Sequence, residues 1–133
     1  MTVRKINRLE SFRYAFSGIW YTFKTQRNAQ IHLAIAVAIF ILGFILKLNL
    51  TEWAILALTA GFVISVEMLN TVAETAMDYA TVDFTPQVKI VKDVAAGAVL
   101  VAAITAGFVG LLILGPPLIQ RLSSLFATIW LSN

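Results

Sequence analysis

The sequence contains no cysteine and a single histidine. Without thiols there is no disulfide framework, no thiolate nucleophile and no Cys-based zinc site. One histidine cannot build a His-rich metal centre or a paired His relay. Charge is scarce as well: 13% of the residues are charged against 59% hydrophobic, well outside the balance of a water-soluble domain. No GxxxxGK[ST] loop, HRD element or DFG element is present, so the common nucleotide-binding signatures are missing. No uninterrupted apolar run follows the early basic residues in the manner of a signal peptide. A length of 133 residues favours one domain.

The few charges are segregated. Up to Arg27 there are six basic residues (Arg4, Lys5, Arg8, Arg13, Lys24 and Arg27) and one acid, Glu10. A basic segment ahead of apolar spans suits an anionic membrane face rather than nucleic acid. Five of the seven acids fall between Glu67 and Asp93. On a helix, Glu67, Asn70, Thr71, Glu74 and Asp78 fall within an arc of roughly 100° and extend about 16 Å along the axis. Three carboxylates, an amide and a hydroxyl therefore form one stripe, with Met68, Leu69, Val72, Ala73 and Ala76 on the other side. A charge run is usually a solvated face, but the apolar residues before Glu67 make this one part of a membrane span.

The pattern predicts an all-α membrane protein. Residues 8–24 read as an amphipathic surface helix, with Leu9, Phe12, Phe16, Ile19, Trp20 and Phe23 on one face. Transmembrane helices are expected over 31–50, 53–78 and 90–114, each near the ~20 residues that a bilayer needs or longer. Trp53 would anchor the second at the interface. Thr85 is placed to cap the third and Pro86 to open it. Ala98, Ala102, Ala106 and Gly110 form a small-residue ladder for close packing in lipid. Gly115-Pro116-Pro117 should end that helix, followed by a short interfacial helix over 118–131.

The basic amino-terminal segment places that end in the cytoplasm. The acidic stripe then opens toward the cytoplasm, with Glu67 at acyl-chain depth. The polar cluster at 25–32 and the Lys92-Asp93 pair reach the same layer. Carboxylates a few turns apart can hold Mg²⁺ together with phosphate oxygens. A carboxylate at lipid depth can take a proton from a hydroxyl, and a lysine can balance charge on a moving phosphoryl group. The residues alone also fit a non-enzymatic proton or cation conduit lined by Glu67, Glu74 and Asp78.

Glu67-x-x-Asn70-Thr71-x-x-Glu74-x-x-x-Asp78, followed by Lys92-Asp93-x-Ala95-Ala96-Gly97, resembles the signature of the small bacterial diacylglycerol kinase and undecaprenol kinase family. The resemblance covers nearly the whole chain, and the two motifs at this separation are specific. It implies a multi-pass homotrimer of the bacterial cytoplasmic membrane, with ATP and Mg²⁺ sites shared between subunits. It implies Glu67 as catalytic base and Glu74 as a Mg²⁺ ligand. It implies nucleotide contacts at Tyr14, Asn70, Glu74, Asp83, Phe84, Thr85, Lys92 and Asp93. Along the lipid substrate it places Glu67, Asn28, Ala29, Gln30, Ile31, His32, Trp53 and Ala96. At the second metal-ligand position the better-known members carry glutamate where this chain has Gln26. The acceptor implied is undecaprenol or diacylglycerol, with undecaprenol favoured.

Overall fold

A computed structural model describes residues 7–81, 83 and 85–131. Its four helices are α1 (Arg8–Thr25), α2 (Arg27–Leu46), α3 (Leu50–Ala80) and α4 (Pro86–Leu131). The last three are long and apolar enough to cross a membrane. Helix α4 packs on α3 along the most extensive contact in the molecule, and α2 packs against both. Helix α1 packs on α2 and α3 but not on α4.

The joints explain the element boundaries. A single extended residue, Gln26 (φ −101°, ψ 112°), separates α1 from α2, and its side chain caps neither helix. Gln30 holds the bend instead, donating from Nε2 to the Phe23 carbonyl at 2.9 Å. Helix α2 stops at Lys47, which adopts a left-handed conformation (φ 57°, ψ 49°) and turns the chain. Asn49 then caps α3: its Oδ1 accepts from Thr51 N at 2.9 Å and Glu52 N at 3.0 Å, while Glu52 accepts from Asn49 N at 2.8 Å. The expected span over 31–50 thus ends early and starts early, at Arg27–Leu46. Trp53 lies one turn inside α3 rather than at its start.

Trp53 fills the hairpin. Its ring packs on Phe40 and Phe44 at centroid distances of 5.2 and 4.6 Å. Gly43 is required there, because a Cβ at that position would lie 2.9 Å from the indole and 3.0 Å from Leu48. At the other connection, Thr85 Oγ1 accepts from Val88 N at 3.3 Å and Pro86 opens α4, as its sequence predicts.

Helix α4 departs from expectation. It does not end at Gly115-Pro116-Pro117 and no separate interfacial helix follows; both prolines lie inside one helix of 46 residues, about 69 Å long. Each proline removes an N–H from the ladder, but in membrane helices such gaps are tolerated where neighbouring groups compensate. Beyond the prolines, Arg121 Nη1 donates to the Ile45 carbonyl of α2 at 2.6 Å. Ile45 lies in the last turn of α2, where carbonyls lack helical partners and a cation is favoured.

The interior is sparse. Among the described residues the buried apolar side chains are Ala29, Leu56, Val63, Val99, Ala102 and Leu114, while many large apolar residues are exposed. In lipid that exposure costs little, and helices are held by close packing rather than by the hydrophobic effect.

Candidate active site

The buried face of α3 is continuous. Leu56 and Val63 open it, and at helical spacing the same face passes through Glu67, Asn70 and Thr71, all buried. The stripe changes from apolar to polar without changing direction. Glu74 is half-buried and Asp78 exposed, so the stripe runs from interior to surface over about 16 Å.

Glu67 is 1% exposed and is the largest fully buried side chain among the described residues. A carboxylate is costly to bury without a partner. Its neighbour is His32 of α2, whose Nε2 lies 3.3 Å from Glu67 Oε1. The two are within reach but not aligned as a hydrogen bond, so Oε1 keeps an unused acceptor position. One turn on, Asn70 Nδ2 donates to Glu74 Oε1 at 3.1 Å, and Asn70 Oδ1 is buried without a partner. Thr71 and Thr75 turn their hydroxyls back to the carbonyls of Glu67 and Thr71, at 3.0 and 2.8 Å. They leave the carboxylate and the amide as the open polar groups of the face.

Two cavities between α2 and α4 end at His32. One, of about 440 Å³, runs past Ile35, Ile39, Ala106 and Gly110 to Leu118. The other, of about 340 Å³, is lined by Asn28, Ile31, His32, Ala96, Val99 and Ala103. The structure therefore brings Asn28, Ile31, His32 and Ala96 together around one cavity. Ala29 is buried and Gln30 is spent on the α1–α2 bend. Trp53 is not brought to the carboxylate: it lies about 21 Å away along α3. A cavity of about 830 Å³ opens between α1 and α3 and is lined by Tyr21, Met68, Thr71, Val72, Thr75 and Tyr79. It lies on another face of α3 from the carboxylates, and its size does not make it the reaction site.

Most of the residues expected to contact nucleotide lie at the surface end of the stripe or beyond it. Lys92 of α4 pairs with Asp78 of α3, while Asp93 pairs with Lys89 one turn away. The expected Lys92–Asp93 pair does not form, because adjacent helical residues point about 100° apart. Asp83 N donates to Thr81 Oγ1 at 3.0 Å in the connecting loop, beside Thr85. Phe84 lies outside the described residues. Tyr14 is 57% exposed on α1, and α1 does not touch α4, so one chain does not unite Tyr14 with Lys92 and Asp93.

Oxygen donors of the kind Mg²⁺ takes are present one turn apart on α3, the Glu74 carboxylate and the unpartnered Asn70 Oδ1, with the amide nitrogen of Asn70 facing Glu74. No group of three or more His, Asp or Glu side chains among the described residues could hold a metal by itself. That set fits an ion which takes its remaining ligands from water and phosphate. Among the described residues no side-chain hydrogen bond joins Gln26 to these donors.

Sequence reasoning named both Glu67 and His32 but missed that they meet. The connection Lys47–Asn49 folds α3 back along α2 and so lays the Glu67 turn of α3 beside the His32 turn of α2.

The model of the family described as prokaryotic diacylglycerol kinase matches residues 13–114. An undecaprenol kinase of Bacillus subtilis is 44% identical over 115 residues, covering 86% of this chain and 94% of that protein. A diacylglycerol kinase of Synechocystis is 46% identical over 115 residues, covering 86% of this chain and 66% of that protein. No solved structure matches at comparable significance.

Proposed function

The chain belongs to the prokaryotic diacylglycerol kinase family and is a lipid kinase; from that premise we propose that Glu67 is its general base, delivering a membrane lipid alcohol to the γ-phosphoryl group of ATP. The observation that carries this reading is a fully buried carboxylate with an unused acceptor oxygen, 3.3 Å from His32, which lines two cavities between apolar helices. The conduit considered from sequence finds no support, since both relatives are kinases.

The proton balance is simple. Glu67 takes the proton of the lipid hydroxyl as its oxygen attacks the γ-phosphorus. The bond from that phosphorus to the β–γ bridging oxygen breaks, and ADP leaves with the electron pair. Glu67 later returns the proton to solvent. Little covalent chemistry falls to the protein, so most of the acceleration is positioning and charge stabilisation. Glu74 and Asn70 Oδ1 would hold Mg²⁺, with Gln26 a neutral third oxygen; the ion supplies charge neutralisation to the triphosphate. Lys92, Asp93, Asp83, Thr85 and Tyr14 would contact the nucleotide.

The exposed Tyr14 and the apolar α1–α3 cavity support homotrimer assembly, in which each would face a neighbouring subunit. The basic amino-terminal segment favours a cytoplasmic amino terminus in the bacterial inner membrane. Undecaprenol is the favoured acceptor, because this chain spans nearly the full length of the relative named for it and only 66% of the one named for diacylglycerol.

The test is ATP-dependent phosphorylation by the purified protein in mixed micelles, with undecaprenol and diacylglycerol supplied in turn. Phosphorylated undecaprenol as the principal product supports the reading. Phosphorylation of diacylglycerol alone overturns the acceptor, and phosphorylation of neither overturns the function.

A further inference from the structure

We propose that His32 is a positioning residue for Glu67: it stands between the α2–α4 cavities and the buried carboxylate, and fixes the direction in which that carboxylate meets an incoming hydroxyl. The inference rests on the reading of Glu67 as base and deepens it.

Four observations place His32 in that role. Its Nε2 lies 3.3 Å from Glu67 Oε1. It lines both cavities between α2 and α4, and Glu67 lines neither. Its side chain keeps 21% of its surface accessible against 2% for that of Glu67, so the imidazole is the part of the pair that a ligand reaches first. Among the described residues no side chain donates a hydrogen bond to Glu67 Oε1.

The physical consequence follows from burial. In a dry site each electrostatic contact counts for more than in water, so the polar group nearest Oε1 sets the direction in which the carboxylate is turned. An N–H at the reach of Nε2 holds Oε1 toward α2 and toward the cavities. The offset geometry leaves Oε1 free to accept from the lipid hydroxyl. His32 is thereby distinguished from a substrate ligand: it acts on turnover through Glu67 and contributes little to holding the lipid.

The chain has one histidine, which gives a test independent of activity. In protein labelled with ¹⁵N-histidine, the imidazole nitrogen resonances belong to His32 alone. Replacing Glu67 by Gln should shift them by several ppm; unchanged resonances would overturn the contact whether or not any lipid is phosphorylated. The kinetic arm uses the lipid acceptor that the unaltered protein phosphorylates. His32→Leu should lower kcat by about 10–100-fold with lipid KM within about twofold, the range expected when an aligning group is lost. His32→Gln keeps an N–H at similar reach and should recover to within about fivefold. His32→Asn is too short to reach Glu67 and should fall with His32→Leu, which keeps the comparison alive if the leucine variant fails to fold. Adding His32→Leu to Glu67→Gln should cost nothing further, because both act through one group. A raised lipid KM at unchanged kcat, equal loss in the Gln and Asn variants, or additive losses in the double variant would each overturn the proposal.

Discussion

Lys92 of α4 reaches across to Asp78 of α3, so the surface end of the carboxylate stripe is tied to the first turns of the helix that follows it. Both side chains are substantially exposed, and such pairs contribute about 0–1 kcal/mol. The pair is better read as holding Lys92 beside the stripe than as a source of stability. Lys92→Met should therefore raise the KM for ATP by about tenfold or more, taking one lost charge-assisted phosphate contact as the measure. Asp78→Asn, which keeps the Lys92 charge and removes only its tether, should raise that KM less, by about threefold. Steady-state kinetics with ATP varied at saturating lipid distinguishes them.

The α2–α3 hairpin should be intolerant of bulk at Gly43. A methyl group there would meet the Trp53 ring and Leu48 at contact distances that force one of them to move. Gly43→Ala should lower the melting temperature in detergent by several degrees, corresponding to an overpacking cost of about 1–3 kcal/mol. Trp53→Leu in the same background should restore part of the loss. Thermal unfolding followed by circular dichroism checks both, and an unshifted Gly43→Ala would contradict the packing described.

The four helices, the Thr85 cap and the Pro86 start were legible in the sequence, because hydrophobic length and capping chemistry are local. The end of α4 was not. Two prolines in succession stop a helix in water, whereas a helix in lipid keeps its hydrogen-bonded form where compensation exists. Arg121, which meets Ile45, is separated from it by most of the chain and carried no sequence signal of that contact. The stripe from Glu67 to Asp78 was readable from periodicity alone. The partners were harder: Lys92 beside Asp93 suggests a pair in the sequence that helical geometry forbids. His32 beside Glu67 becomes visible only when the hairpin turn is fixed at Lys47–Asn49.

The carboxy-terminal part of α4 carries none of the candidate site residues and lies beyond the matched residues 13–114. Removing residues 120–133 should leave kcat within about threefold. It should lower thermal stability slightly, because the charged hydrogen bond from Arg121 to Ile45 is lost; such bonds contribute about 1.5–3 kcal/mol, less when exposed as here. Arg121→Met alone should reproduce most of that stability loss. Activity and melting temperature measured on both variants test the separation.

The metal-side donors predict an asymmetry. Glu74 is the carboxylate that Asn70 holds in place, whereas Gln26 is neutral and its side chain caps neither helix. Glu74→Gln should raise the Mg²⁺ concentration for half-maximal rate by an order of magnitude or more, while Gln26→Ala shifts it little; Mg²⁺ commonly uses one or two protein carboxylates with the triphosphate. Gln26→Glu should lower that concentration. Titration of Mg²⁺ at saturating ATP gives the answer, and equal effects of Gln26→Ala and Glu74→Gln would contradict this division of roles.

Glu67 is the centre of the account, and its replacement by glutamine is the most direct measurement. The amide keeps the size of the side chain and removes its ability to take a proton. The account predicts that Glu67→Gln loses at least about 10²-fold in kcat for lipid phosphorylation, the low end for a general base. Binding of a non-hydrolysable ATP analogue with Mg²⁺ should stay within about threefold, because Glu74 and Asn70 are untouched. A variant that kept more than a few per cent of kcat, or that lost nucleotide binding along with turnover, would contradict the assignment of Glu67 as the base.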